Sequence, residues 1–152
     1  MSELVGKTTY SRQSYLEAAP AVTDCLTSII YIFKKALHEF IPFTFIGDMP
    51  RQFMRYGSWR LLSIDSSDAK CGDLIFVKSK TFKRLITHVA LFVDNARLFH
   101  CTPVYGTAVI ESSAGFFSRY EQNLSAAKAL RYIDLRNRSL RDEYGGSFIK
   151  DE

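Results

Sequence analysis

The sequence predicts an α+β domain in which helices come first and an antiparallel sheet follows. Two patterns carry this expectation. Between Leu26 and Leu37 apolar residues recur at helical spacing, with Leu26, Ile30, Phe33 and Leu37 on one stripe and Ile29, Ile32 and Ala36 beside it. From Asp73 onward the apolar residues fall in short, strand-length segments divided by turn-forming residues. Helices followed by strands predict one helix layer packed on a sheet. At 152 residues the chain is long enough to bury a full core without disulfide staples, so a single domain over residues 1–152 is expected.

Taken in order, residues 1–22 show little periodicity, and Pro20 precedes a helix start. Thr23 or Asp24 supplies the N-cap oxygen that an orphan backbone N–H needs. The helix that follows is apolar around much of its circumference, which predicts a central, buried position. Lys34, Lys35, His38 and Glu39 mark its wetter end, and Pro42 stops it. Asp48-Met49-Pro50 reads as a second helix start, with Phe53, Met54 and Tyr56 as its apolar face and Gly57 as its end. Asp73–Val77, Ile86–Val93, Arg97–Cys101 and Thr107–Glu111 read as the strands of a meander, turning at Asp94-Asn95 and Pro103–Gly106. A short aromatic helix, Ala114–Tyr120, and a last strand around Ala129–Ile133 complete the domain. Residues 135–152 form a charged tail expected to fray.

Bulk properties narrow the function classes. Hydrophobic content of 47% with 14% aromatic residues excludes a disordered chain. The net charge of +4 is mildly basic, but Lys and Arg form no dense run, and the Lys78–Arg84 segment reads as a solvated loop. No nucleic-acid partner is expected. Three cysteines, Cys25, Cys71 and Cys101, lack metal-type or redox-pair spacing, and the three histidines are scattered, so neither metal nor cofactor is expected. The first residues carry no apolar run of signal-peptide length, and nothing is long enough to span a bilayer. The expectation is a monomer that works in the cytoplasm or leaves the cell without a cleaved signal.

The candidate chemistry lies in two distant segments, Thr23-Asp24-Cys25 and Thr87-His88-Val89-Ala90-Leu91-Phe92-Val93. A lone cysteine is most often a small buried hydrophobe. Cys25, however, falls in the first turn of a helix behind a capping Asp24, where the positive end of the helix dipole lowers a thiol pKa. A histidine in a strand is usually structural. Here strand alternation sends His88 and Ala90 to one face, and the small Ala90 leaves room for a partner or substrate. If Asp94-Asn95 is the turn, Leu98 or Phe99 comes opposite Ala90 or Leu91, and His100 lies close to His88. A base with an orienting partner is the arrangement that nucleophilic catalysis requires.

The residues Asp24-Cys25, Cys71-Gly72-Asp73-Leu74-Ile75-Phe76, Thr87-His88-Val89-Ala90-Leu91-Phe92-Val93 and Phe99-His100 together resemble the NlpC/P60 family of cell-wall cysteine peptidases. The likeness continues through Gly106–Ile110 and the aromatic helix to Ala129-Leu130-Arg131-Tyr132. Gly6 and Tyr10 resemble the family's Gly-x-x-Tyr segment, although Tyr10 stands further from the cysteine than is usual. The resemblance implies a papain-like fold with N-terminal helices packed on a central antiparallel β-sheet. It implies Cys25 as nucleophile, His88 as base and His100 as orienter, and substrate contacts from Tyr10, Asp24 and the residue after the cysteine.

The substrate so implied is the peptidoglycan stem peptide, or a muropeptide, cut between D-Glu and the diamino acid. Where the family has serine after its cysteine, this chain has Leu26, which bears on the substrate pocket. Cys101 reads as structural. Two other classes stay open: an acyl hydrolase or transferase acting on a different amide or ester, and a non-catalytic binding module.

Overall fold

The computed structural model describes residues 1–37, 59–79, 81, 86–120 and 128–134. The expected second helix over 48–57, the Pro42 stop and the tail over 135–152 lie outside these residues. A short parallel pair, β1 (Thr9–Tyr10) and β2 (Val22–Thr23), precedes helix α1 (Cys25–Leu37). Strands β3 (Trp59–Asp65), β4 (Leu74–Lys78), β5 (Ile86–Asp94), β6 (Arg97–Thr102) and β7 (Thr107–Ser112) follow, then helix α2 (Ser113–Tyr120) and strand β8 (Lys128–Asp134).

The six longer strands form one sheet in the order β3-β8-β4-β5-β6-β7, with every pairing antiparallel. The α+β class stands. The expected meander holds from β4 to β7 but not beyond, because β8 inserts between β3 and β4, with Leu74 opposite Leu130. Strand β3 was not expected at all. In Trp-Arg-Leu-Leu-Ser-Ile-Asp two adjacent leucines break the alternation that marks a half-buried strand, and its pairing with β8 comes from far along the chain.

Alternation along β4, β5 and β6 sorts side chains onto two faces. Leu74, Val89, Leu91, Phe99 and Cys101 pack against Cys25, Leu26, Ile29, Ile30 and Phe33 of α1. Ile75, Val77, Ala90, Phe92 and Leu98 pack against Phe116 of α2. The single expected helix layer is therefore two, one on each face of the sheet. Lys34 and Lys35 are exposed at the expected wetter end of α1, and Ala36, read as part of the apolar stripe, is exposed with them. The β5–β6 turn brings Leu91 opposite Phe99, as the spacing about Asp94-Asn95 allows, with a bulge between Phe92 and Asp94. At the β6–β7 turn Gly106 takes a φ of 70° while its N–H reaches Thr102 O at 3.0 Å, a left-handed conformation that side-chain-bearing residues rarely adopt.

The start of α1 is fixed by a reciprocal cap. Asp24 Oδ1 accepts from Leu26 N at 2.9 Å, from Thr27 N at 2.8 Å and from the Thr27 hydroxyl at 2.9 Å. Asp24 N donates in return to Thr27 Oγ1 at 2.8 Å, so threonine does here what Glu or Gln does in a capping box. Ser14 N adds a bond to Oδ2 at 3.2 Å. Replacing Asp24 by Ala strips first-turn N–H groups of their acceptor, and the expected cost is about 1–2 kcal/mol, at the upper part of the range for N-caps. Urea unfolding of Asp24→Ala beside Asp24→Asn checks this. Asn should recover most of the loss, whereas an Ala variant within a few tenths of wild type would show that the cap is dispensable.

Candidate active site

Three elements deliver the site. Cys25 opens α1, His88 lies near the start of β5, and His100 lies on β6. Adjacent residues on β6 point to opposite faces, and this chain uses both. Cys101 turns toward α1, where Thr23 Oγ1 donates to its sulfur at 3.4 Å and its own S–H is directed at Thr23 O at 3.7 Å. Thr8 Oγ1 closes the chain at 2.9 Å from Thr23 Oγ1. Cys101 thus anchors the segment just before Cys25, which is the structural role expected of it. His100 turns the other way, and its Nδ1 lies 2.8 Å from His88 Nε2.

Helix α2 closes over this imidazole pair. Phe116 and Tyr120, one helical turn apart, stack on His88 with centroids at 6.3 and 5.7 Å, and Phe116 meets His100 edge-on at 5.2 Å. Both histidines are buried. Burial holds His88 neutral, its pKa lowered to about 3 with His100 and Arg119 adding to the shift. Burial lowers His100 as well, against an opposing pull from Glu111.

Cys25 is also buried, and desolvation with the nearby Asp24 charge pushes its thiol up to about 12. The backbone amides of Val89 and Leu26 act the other way. The helix terminus therefore does not lower this thiol pKa as the sequence led one to expect. A dipole contributes roughly 0.3–1 kcal/mol at an exposed helix end, whereas desolvating a charge costs several kcal/mol. Burial wins, and the resting pair is thiol and neutral imidazole.

Cys25 packs in the same apolar cluster as Val89, on the α1 side of β5, while the His88 imidazole lies against Phe116 and Tyr120 on the α2 side. Among the described residues no hydrogen bond joins Cys25 Sγ to His88 directly. His88 Nε2 is engaged by His100, so Nδ1 is the ring nitrogen left for other chemistry. Of the first-turn amides, those of Leu26, Thr27 and Ser28 bond Asp24. The Cys25 N–H has no partner among the described residues.

The remaining expected site residues divide. Tyr10 is brought to the site by the β1–β2 pair, whose register sets it beside Thr23, two residues before Cys25. Its hydroxyl pKa is raised by burial and then by Cys25 and Asp24, which places it in their field despite its distance along the chain. Asp24 flanks Cys25 but spends Oδ1 wholly on the cap; Oδ2 carries one bond and retains capacity for a ligand. Leu26 is packed in the apolar cluster that also takes in Cys25, Ile29 and Ile30. Cys71 is exposed in the turn before β4. Sequence reasoning missed the lid made by Phe116 and Tyr120, although their spacing in an aromatic helix was the available signal. It also missed Glu111 and Arg119, which join beside His100.

Among the described residues no cluster of three or more His, Cys, Asp or Glu could hold a metal ion, and no helix is long and apolar enough to cross a membrane. Residues 12–124 match the family model described as the NlpC/P60 family. Among solved structures, the chain is similar to the NlpC/p60 domain of the peptidoglycan hydrolase SagA, at 20% identity over 86% of this chain and 90% of that one, with a TM-score of 0.56. It is similar to NlpC2 from Trichomonas vaginalis at 21% identity, covering 86% of this chain and 42% of that one, with a TM-score of 0.59. A Staphylococcus aureus protein described as similar to a lipoprotein of the NLP/P60 family gives 22% identity, 86% and 39% coverage, and a TM-score of 0.56. At these identities the structural likeness speaks for the fold. A sequence comparison with curated proteins gives no match. The family match spans most of the chain and takes in the capped cysteine and both paired histidines, and on that ground the chain belongs to the NlpC/P60 family.

Proposed function

We propose that this protein is a cysteine hydrolase that cleaves amide bonds in peptidoglycan stem peptides, of the type joining D-Glu to a diamino acid. Family membership supports a cysteine peptidase or amidase. The observation that carries the assignment of roles is the buried 2.8 Å contact between His88 Nε2 and His100 Nδ1. It supports His88 Nδ1 as base and an orienting role for His100.

The reaction begins from the neutral pair. As Cys25 Sγ attacks the carbonyl carbon, its proton passes to His88 Nδ1. The oxyanion takes the Cys25 N–H at the helix terminus, and a donor of this kind is worth about 2.7–4 kcal/mol to the transition state. The protonated imidazole then gives its proton to the leaving amine. Water, deprotonated by the same nitrogen, hydrolyses the thioester. Asp24 Oδ2 and the Tyr10 hydroxyl border the sulfur and form the polar side of the substrate site, with Oδ2 suited to a substrate ammonium.

Cys25→Ala and His88→Ala are expected to reduce muropeptide cleavage to background, and His100→Ala to lower kcat by roughly 10²- to 10⁴-fold while leaving measurable turnover. Mass spectrometry of muropeptide digests reads all three. A His100 variant more damaged than the His88 variant would reverse their roles, and an active Cys25→Ala would end the proposal.

The pH profile follows from the two shifts. His88 loses its capacity to accept a proton only as pH falls toward about 3, and the thiol ionises only toward about 12. The expected kcat/KM is therefore flat between roughly pH 5 and pH 9. An alkaline decline centred near pH 8 to 9, as roughly expected where an imidazolium–thiolate pair breaks up, would contradict the neutral resting state.

A further inference from the structure

We infer that Glu111, clamped by Arg119, is a positioning residue that sets the proton positions of both imidazoles and so leaves His88 Nδ1 unprotonated. The inference deepens the proposed reaction and rests on it for its activity arm alone.

Two neutral rings facing each other at 2.8 Å through His88 Nε2 and His100 Nδ1 share one proton. It can sit on either nitrogen, and the choice propagates along the pair. If His100 Nδ1 carried it, His100 Nε2 would be a bare lone pair. That nitrogen is fully buried, has no hydrogen-bond partner among the described residues, and lies 3.5 Å from Glu111 Oε2. A buried lone pair facing a carboxylate is repelled, whereas an N–H there is attracted. At 3.5 Å the approach is electrostatic and not yet a full hydrogen bond, in keeping with catalytic contacts that tighten only when substrate binds. The proton of His100 therefore belongs on Nε2. His100 Nδ1 becomes the acceptor, and His88 Nε2–H the donor. The other order would put the His88 proton on Nδ1, where it could not receive the proton of Cys25.

Glu111 is held for this task. Arg119 Nη1 donates to Oε1 at 3.0 Å and to Oε2 at 3.1 Å, and Nη2 donates to the Tyr105 hydroxyl at 2.9 Å. The guanidinium also lies over the Tyr105 and Tyr120 rings, at 5.4 and 5.9 Å. Arg119 belongs to the same helix turn that stacks on His88, so one element both encloses the base and aims the carboxylate that orders its protons. The titratable groups facing the pair are Glu111 from β7, and Arg119 and Tyr120 from α2.

The test is long-range ¹⁵N–¹H correlation of the imidazole rings in the folded, substrate-free protein near neutral pH. Expected in wild type are protonated Nε2 and bare Nδ1 on both His88 and His100. Glu111→Leu should shift both rings toward the opposite tautomer and lower kcat/KM by about ten- to hundredfold, as loss of a histidine's outer partner commonly does. Glu111→Asp, which keeps the charge, should restore the wild-type pattern and part of the activity. A wild-type His88 protonated at Nδ1, or tautomers unchanged in Glu111→Leu, would overturn the inference, and the wild-type spectrum decides alone if the leucine variant does not fold. An active Cys25→Ala would instead remove the functional reading while leaving the tautomer result in force.

Discussion

Strand β6 works on both faces of the sheet at once, and the candidate site depends on it. His100 and Cys101 are adjacent in sequence, so the pleat sends them to opposite sides. Cys101 reaches through the α1 layer to Thr23 and fixes the chain immediately before Cys25. His100 reaches under α2 to His88. A one-residue slip of β6 would exchange the two, putting a histidine against the helix start and a thiol against the base. The pairing of Leu91 with Phe99 on one side and of His100 with Val109 on the other holds that register.

Burial then determines the chemistry. The same apolar surroundings that order the site make charge there expensive, so thiol and imidazole rest neutral although a helix terminus and a paired base would each favour ionisation. The resting site holds a neutral thiol and neutral imidazoles, not a preformed ion pair. Glu111 and Arg119 pair beside His100 at one end of the site, while Asp24 flanks Cys25 at the other.

Much of this was legible in the chain, for reasons that can be named. Alternation in Ile86–Val93 and the Asp94-Asn95 turn give the β5–β6 hairpin and hence the meeting of His88 and His100. Asp24 before an apolar helical stripe gives the cap and sets Cys25 in the first turn. Other features depend on long-range pairing or on competing energies. The place of β8 between β3 and β4 follows from contacts that no local pattern encodes. Tyr10 gains its nearness to Cys25 through the parallel contact with Thr23. The thiol pKa misled because position on a helix is readable from sequence and desolvation is not.

The central claim, that His88 activates the buried neutral thiol of Cys25, is tested most directly by competition between Cys25 and the exposed Cys71. Wild type and His88→Ala would be treated with a stem-peptide chloromethyl ketone at neutral pH and the adducts mapped by mass spectrometry. The account predicts alkylation at Cys25 in wild type, with Cys25 spared in His88→Ala and the slow reaction of Cys71 alike in both. Equal labelling of Cys25 in the two proteins, or labelling confined to Cys71 in wild type, would contradict it.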